Sequence, residues 1–132
     1  TESLADNNSQ FTFSELRLDQ GLNRLKTKAK SNGKESDFTN EIIIEYETTP
    51  PALEVQEPTS GQVIKKTPQV RVIGKTEPET SVFINEFLPI VDSGGNFSYT
   101  MPLSEGENII KVTAIDRAGN QTINEINVTY QP

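Results

Sequence analysis

Acidic side chains are the groups in this sequence best suited to chemistry, because histidine and cysteine are both absent. Without these two residue types, the usual nucleophile–base pairs and thiolate metal sites cannot be built. Glu77, Glu79 and Asp92 would act in glycoside hydrolysis only if two of them faced each other across a sugar cleft. They fall in predicted loops or at solvent-facing positions, which favours solvated surface charge. The sequence therefore predicts a protein that is not an enzyme.

Asp116 and Asn120 form the best polar pair in the chain. Their carboxylate and amide oxygens are ligands that suit calcium, so a calcium site is one interpretation. Calcium takes about six to eight oxygens, however, and this loop offers few. A hairpin turn stabilised by side chain–backbone hydrogen bonds is the favoured alternative, and no other cofactor or metal is expected.

The candidate binding patch consists of Phe83, Phe87, Leu88 and Ile90, the last three in an unusually apolar run at residues 87–90. Phe83 lies between Val82 and Ile84 and should therefore point away from the core. One interpretation is an exposed surface that binds glycans or a neighbouring module. The alternative is a short edge strand that folds over the core, since single exposed apolar residues are ordinary.

The segments that must position these residues alternate apolar and polar side chains with a period of two. The pattern is clear in five stretches, namely residues 53–56, 69–72, 81–84, 110–114 and 126–130. Clusters of Gly, Pro, Ser and Asn separate them, and no stretch keeps a helical period. About seven short strands with frequent turns are typical of a β-sandwich, so the predicted class is all-β.

An internal repeat with an interval of about 85 residues divides the chain: Gly21 matches Gly106, and Tyr46 matches Tyr130. Two adjacent prolines at residues 50–51 mark a stiff joint. The prediction is a C-terminal half module at residues 1–48 and a complete module at residues 49–132. The half module contains three predicted strands, at residues 11–18, 25–29 and 42–46.

Three strands with one apolar face cannot bury that face alone. The missing strands lie upstream in the natural protein, or another chain supplies them by strand addition, or the half module packs on the complete one. We favour the first interpretation. The second would make the chain a component of a filament or pilus.

The formal net charge of −7 repels phosphate backbones, so no nucleic-acid partner is expected. No stretch approaches the roughly 20 apolar residues of a membrane span, so no membrane insertion of this segment is expected either.

The second copy also carries a recognisable string, at residues 74–85, 91–97 and 103–120. It resembles the bacterial immunoglobulin-like repeats related to domain B of glucodextranase, which occur in secreted and cell-surface proteins. The first copy departs from the pattern at Ser31, Asn32 and Gly33, where the second has the turn from Asp116 to Asn120.

The resemblance implies tandem immunoglobulin-like β-sandwich modules at an extracellular or cell-surface location. It implies a spacer, stalk or adhesion segment of a larger bacterial protein, whose partners are neighbouring modules of the same protein or another subunit. The alternatives are a carbohydrate-binding accessory module of a secreted glycoside hydrolase, or a filament subunit assembled by strand complementation.

Overall fold

The structure, a computed structural model, describes all 132 residues and divides them into two units, Thr1–Glu47 and Thr48–Pro132. Every regular element is a β-strand, which confirms the predicted all-β class. No helix with the length and apolar character needed to cross a membrane is present.

The second unit contains seven strands in two sheets. In chain order the strands are β5 (Leu53–Glu57), β6 (Gln62–Ile64), β7 (Gln69–Thr76), β8 (Ser81–Ile84), β9 (Asn96–Pro102), β10 (Gly106–Ile115) and β11 (Gln121–Tyr130). One sheet has the order β6-β11-β10-β8 and the other the order β5-β7-β9. The β6–β11 pair is parallel and all other pairs are antiparallel.

The core of the second unit lies between its two sheets. The alternating pattern holds, because Val82 and Ile84 are buried in β8 while Phe83 between them is only half-buried. The buried side chains come from both sheets and form one cluster of Val70, Val72, Val82, Ile84, Phe97, Met101, Leu103, Ile110, Val112, Ile126 and Val128. Each such side chain stabilises the fold by about 1.5–3 kcal/mol relative to exposure.

The first unit contains four strands and buries no side chain. Its strands are β1 (Gly21–Leu25), β2 (Lys30–Ser31), β3 (Lys34–Glu35) and β4 (Ile42–Tyr46). β1 pairs with β4, and β2 pairs with β3 through a tight turn. That turn has positive φ at both Asn32 and Gly33, as a two-residue hairpin with the right-handed strand twist requires.

The repeat is present in the strand register. Gly21, Asn23 and Leu25 of β1 lie opposite Tyr46, Ile44 and Ile42 of β4. The matching residues of the second unit are paired in the same way, as Gly106–Tyr130, Asn108–Val128 and Ile110–Ile126. The two units thus share one strand pair in one register.

In both units an asparagine side chain makes the same three hydrogen bonds beside the shared strand pair. Asn108 accepts from the backbone N–H of Ser104 at 2.9 Å, and its amide donates to the carbonyls of Ser104 and Gly106 at 2.8 and 3.0 Å. Asn23 makes the same three bonds, accepting from Asp19 N at 2.8 Å and donating to the carbonyls of Asp19 and Gly21 at 2.7 and 3.0 Å. The bonds brace the loop that leads into each pair.

Two strands predicted for the first unit are wrong. Residues 11–18 form no strand, because their counterpart β9 pairs only with β7, and no counterpart of β7 exists in Thr1–Glu47. Residues 26–29 are irregular as well. There the hydroxyls of Thr39 and Ser36 accept from Thr27 N and Ala29 N, so side chains replace the backbone carbonyls of a regular ladder.

Candidate functional site

The predicted polar pair lies in the turn between β10 and β11. Asp116 Oδ1 accepts from the backbone N–H groups of Ala118 and Asn120, both at 2.9 Å, and Oδ2 accepts from Asn120 Nδ2 at 3.1 Å. The backbone closes the turn, since Asp116 N donates to Asn120 O at 3.0 Å. The two residues are therefore brought together, and the carboxylate holds the loop.

The same turn occurs twice more, which the sequence reasoning missed. Asp92 Oδ1 accepts from Gly94 N at 3.0 Å and Asn96 N at 2.8 Å, and Asn96 Nδ2 donates to both carboxylate oxygens. Asp6 Oδ1 accepts from the N–H groups of residues 8 and 10 at 2.8 and 2.9 Å. A spacing of four residues between an Asp and an Asn or Gln, with Gly or Ser before the latter, is the signal that links all three.

Hydrogen bonds hold two of these carboxyl groups in the charged form. The backbone bond from Asn96 lowers the pKa of Asp92 most, and the Asn96 side chain adds to it. Partial desolvation opposes the shift at Asp116, but the bonds from Asn120, Ala118 and Gly119 outweigh it and lower the pKa of Asp116 as well. Bonds to the ionised form account for both shifts.

Acid is therefore expected to weaken the second unit. A carboxyl group with a lowered pKa in the folded state contributes stability that is present above its unfolded pKa and is lost as pH falls through its folded pKa. For Asp92 and Asp116 that loss begins near pH 4, the ordinary range of an aspartate. Thermal melting of the D92N/D116N variant should depend less on pH below that point. An equal loss in the variant and the native chain would contradict the assignment.

The structure assigns different partners to the carboxylates considered for sugar hydrolysis. Glu77 Oε1 accepts from Ala52 N at 3.3 Å, and Glu79 forms an exposed ion pair with Arg117 at 3.0 Å. Asp92 braces its own turn. No group of three or more acidic side chains converges on one point. The calcium hypothesis for Asp116 and Asn120 stays a prediction.

The four apolar patch residues have different surroundings. Phe87 stacks on Tyr99 with ring centroids 4.8 Å apart and 23° between the planes, so one face of its ring is occupied. Leu88 and Ile90 are exposed by 63% and 89%, while Pro89 between them is buried. Phe83 lies opposite Thr113 in the register of β8 and β10. The two most exposed side chains of the loop are thus aliphatic.

On the sheet β6-β11-β10-β8, Phe83 lies in one row with a second outward-facing apolar residue, Ile123, which was not predicted as a site residue. Ile123 of β11, Thr113 of β10 and Phe83 of β8 are register partners, and Ile123 is about half exposed. An open cleft of about 400 Å³ adjoins Ile123 where β5 passes over to β6. The alternating pattern identifies such residues as outward-facing, but their alignment depends on register, which one strand alone does not specify.

An open groove of about 800 Å³ lies within the first unit. Phe11, Phe13 and Phe38 line it, with Lys26 Nζ 4.2 Å from the centroid of the Phe38 ring. Ile42, which does not line the groove, is 62% exposed, whereas its repeat counterpart Ile126 is 7% exposed. The face that forms a sandwich interior in the second unit is therefore uncovered in the first.

Two packed sheets in the orders β5-β7-β9 and β6-β11-β10-β8, with the N-terminal strands divided between them, define an immunoglobulin-like β-sandwich. The chain belongs to the family "Glucodextranase, domain B", whose model matches residues 51–131. This confirms the resemblance found in the sequence.

A solved structure from Clostridium thermocellum, "Structures of Clostridium thermocellum CbhA fibronectin(III)-like modules", shares the fold with a TM-score of 0.54 and 15% sequence identity. The match covers 86% of this chain and 64% of that chain, so this chain spans less than two thirds of its length. No curated protein matches the sequence.

Proposed function

We propose that this chain is a non-catalytic spacer or adhesion segment of a larger extracellular bacterial protein. One observation carries the proposal: the same strand pair occurs in the same register in both units of one chain. Repetition of a sandwich module extends a protein without needing a pocket for chemistry. The hydrogen-bonded partners of Asp92 and Asp116 support a structural role for the acidic loops.

The anchoring of the joint also supports a spacer. Pro51, the second proline of the joint, is buried in the second unit, and its carbonyl accepts from the Thr122 hydroxyl at 2.5 Å. Thr76 Oγ1 donates to Ala52 O at 2.7 Å just beyond it. The chain thus enters the module through a fixed point rather than through a loose terminus.

Replacing the module separates a spacer from a binding module. In the parent protein, residues 48–132 would be exchanged for an unrelated β-sandwich of equal length, and the binding or catalysis of the flanking domains measured. A spacer predicts unchanged activity. Loss of activity would overturn the spacer role.

A glycan array of the full chain tests the carbohydrate-binding alternative. Binding that F87A abolishes would support that alternative and contradict the spacer. F83A is tested alongside it, because Phe83 is the other aromatic residue of the candidate patch.

The uncovered face of the first unit favours a second candidate, a subunit assembled by strand complementation. The occupant would be a set of strands such as β5–β8, because in the second unit these strands complete the sandwich around the equivalent pair. Burying residues like Ile42 would supply the driving force.

Native mass measurement over a range of concentrations tests this candidate. Complementation predicts oligomers that are lost in the I42D variant and kept in the L22D variant. Leu22 is the matched control because it is about as exposed as Ile42 but lies on the opposite face of the β1–β4 pair. A chain that stays monomeric at every concentration would reject the candidate.

A further inference from the structure

The first and last parts of the second unit are joined in parallel. In β6 and β11, Gln62, Val63 and Ile64 lie beside Val128, Thr129 and Tyr130. Backbone hydrogen bonds extend the ladder at both ends, because Gly61 N donates to Asn127 O at 2.7 Å and Gln131 N donates to Ile64 O at 2.9 Å. The second strand of the module, β6, is therefore bonded directly to its last strand, β11.

Side chains continue this connection along β5. Thr122 Oγ1 donates to Pro51 O at 2.5 Å, and Asn124 Nδ2 donates to Leu53 O at 3.4 Å. These bonds place the start of β5 beside the start of β11. The main chain thus enters the module at the end where β11 begins, and it leaves at the opposite end after Tyr130.

This arrangement sets the direction in which tension acts. A pull on the two ends of the module runs along the strands, so it drives β5 and β6 one way and β11 the other. The hydrogen bonds between them are then loaded in shear and share the force. Bonds at a hairpin pulled open from one end break one after another, although each has the same modest net strength of about 0.5–1.5 kcal/mol.

We propose that residues 51–64 and 121–131 form a mechanical clamp that makes the second unit resist tension applied through its ends. This further function deepens the proposed spacer role, on which it rests, because a spacer in a surface protein transmits any force on what it presents. Resistance to forced unfolding depends on the unfolding rate, which the clamp slows in this one direction.

Pulling the same molecule in two directions tests the clamp without disturbing the fold. The chain has no cysteine, so introduced cysteines are unique attachment points. The first variant, T1C/P132C, loads the clamp in shear. The second, E105C/P132C, peels β11 from β10, because Gly106 and Tyr130 are register partners at the same end of the sheet. Residues 105 and 132 are both exposed, so the substitutions should not affect folding.

Single-molecule force measurement at one loading rate gives the result. Unfolding of residues 48–132 in the first variant releases a chain of about 300 Å at full extension. In the second variant the segment between residues 105 and 132 extends to about 90 Å, so the length gained identifies each unfolding event. We expect the shear force to be at least about twofold the peeling force, because shared bonds must fail together. Denaturant unfolding should give both variants the same stability.

A force that is equal in the two directions, or lower in shear, would overturn the clamp. That outcome would leave the spacer role intact, since a spacer under no tension needs no clamp. The module exchange described above tests the spacer separately. As a second measurement, T122V/N124L should lower the shear force and leave the peeling force within error. An unchanged shear force in that variant would show that β5 takes no part.

Discussion

Gly95→Ala should lower the free energy of unfolding of the second unit by about 2–5 kcal/mol, a loss that reaches the upper end for single substitutions. Gly95 has a φ of +85°, and an added Cβ would lie 1.9 Å from the carbonyl oxygen of Thr76. That carbonyl belongs to backbone that is fixed, since Thr76 N donates to Gly95 O at 2.8 Å. Left-handed backbone costs a non-glycine residue about 1–2 kcal/mol, and overpacking adds about 1–3 kcal/mol.

Gly119→Ala is the matched control for this substitution. Gly119 occupies the same position of the equivalent turn and has a φ of +87°, but its added Cβ would meet nothing within 4 Å. The Gly119→Ala variant should therefore lose only the cost of left-handed backbone, about 1–2 kcal/mol of the free energy of unfolding. Denaturant unfolding of both variants measures the difference. Equal losses would show that the contact with Thr76 is not close in solution.

Ile126→Ala is expected to cost about 2–5 kcal/mol, while the same change at its repeat counterpart Ile42 should stay within about 0.5 kcal/mol. Ile126 is 7% exposed between two sheets, so truncation leaves a cavity. Ile42 is 62% exposed on the uncovered face, so its truncation removes few contacts. The two positions have the same residue type and the same strand register, which isolates the effect of the covering sheet.

Denaturant unfolding of both isoleucine variants at low protein concentration checks this expectation. A small loss at Ile126 would contradict the described core. A large loss at Ile42 would show that the face is covered within the monomer, whereas strand complementation requires a loss that appears only at high protein concentration.

Side-chain alternation was enough to predict the sandwich, because β10 and β11 are long enough to show their period, while the family was predicted from the residue string between residues 74 and 120. The same alternation failed at residues 11–18, since a strand forms only where a neighbour accepts its hydrogen bonds. In the second unit β7 provides that neighbour for β9, and Thr1–Glu47 has none. Pattern predicts which face a strand would bury, but pairing decides whether the strand exists.

The candidate site was predicted in part for the same reason. The turn at Asp116 and Asn120 is local, so its residues and spacing identify it. The stacking of Phe87 on Tyr99 joins a loop to a strand in the opposite sheet, and no local pattern specifies the path of that loop. The turns at Asp92 and Asp6 were not predicted although they have the same four-residue spacing, which is recognisable only when the three turns are compared.

The common register of β1–β4 and β10–β11 gives the nascent sheet β5-β7-β9 two similar surfaces on which to condense. During refolding this sheet can therefore pack on the β1–β4 pair instead of the β10–β11 pair, which gives a kinetically trapped misfolded state, a hazard common to tandem repeats. Divergence between the copies reduces that hazard. Thr27 stands where the second copy has the buried Val112, so the incorrect pairing would enclose a hydroxyl group where the correct one encloses a methyl group.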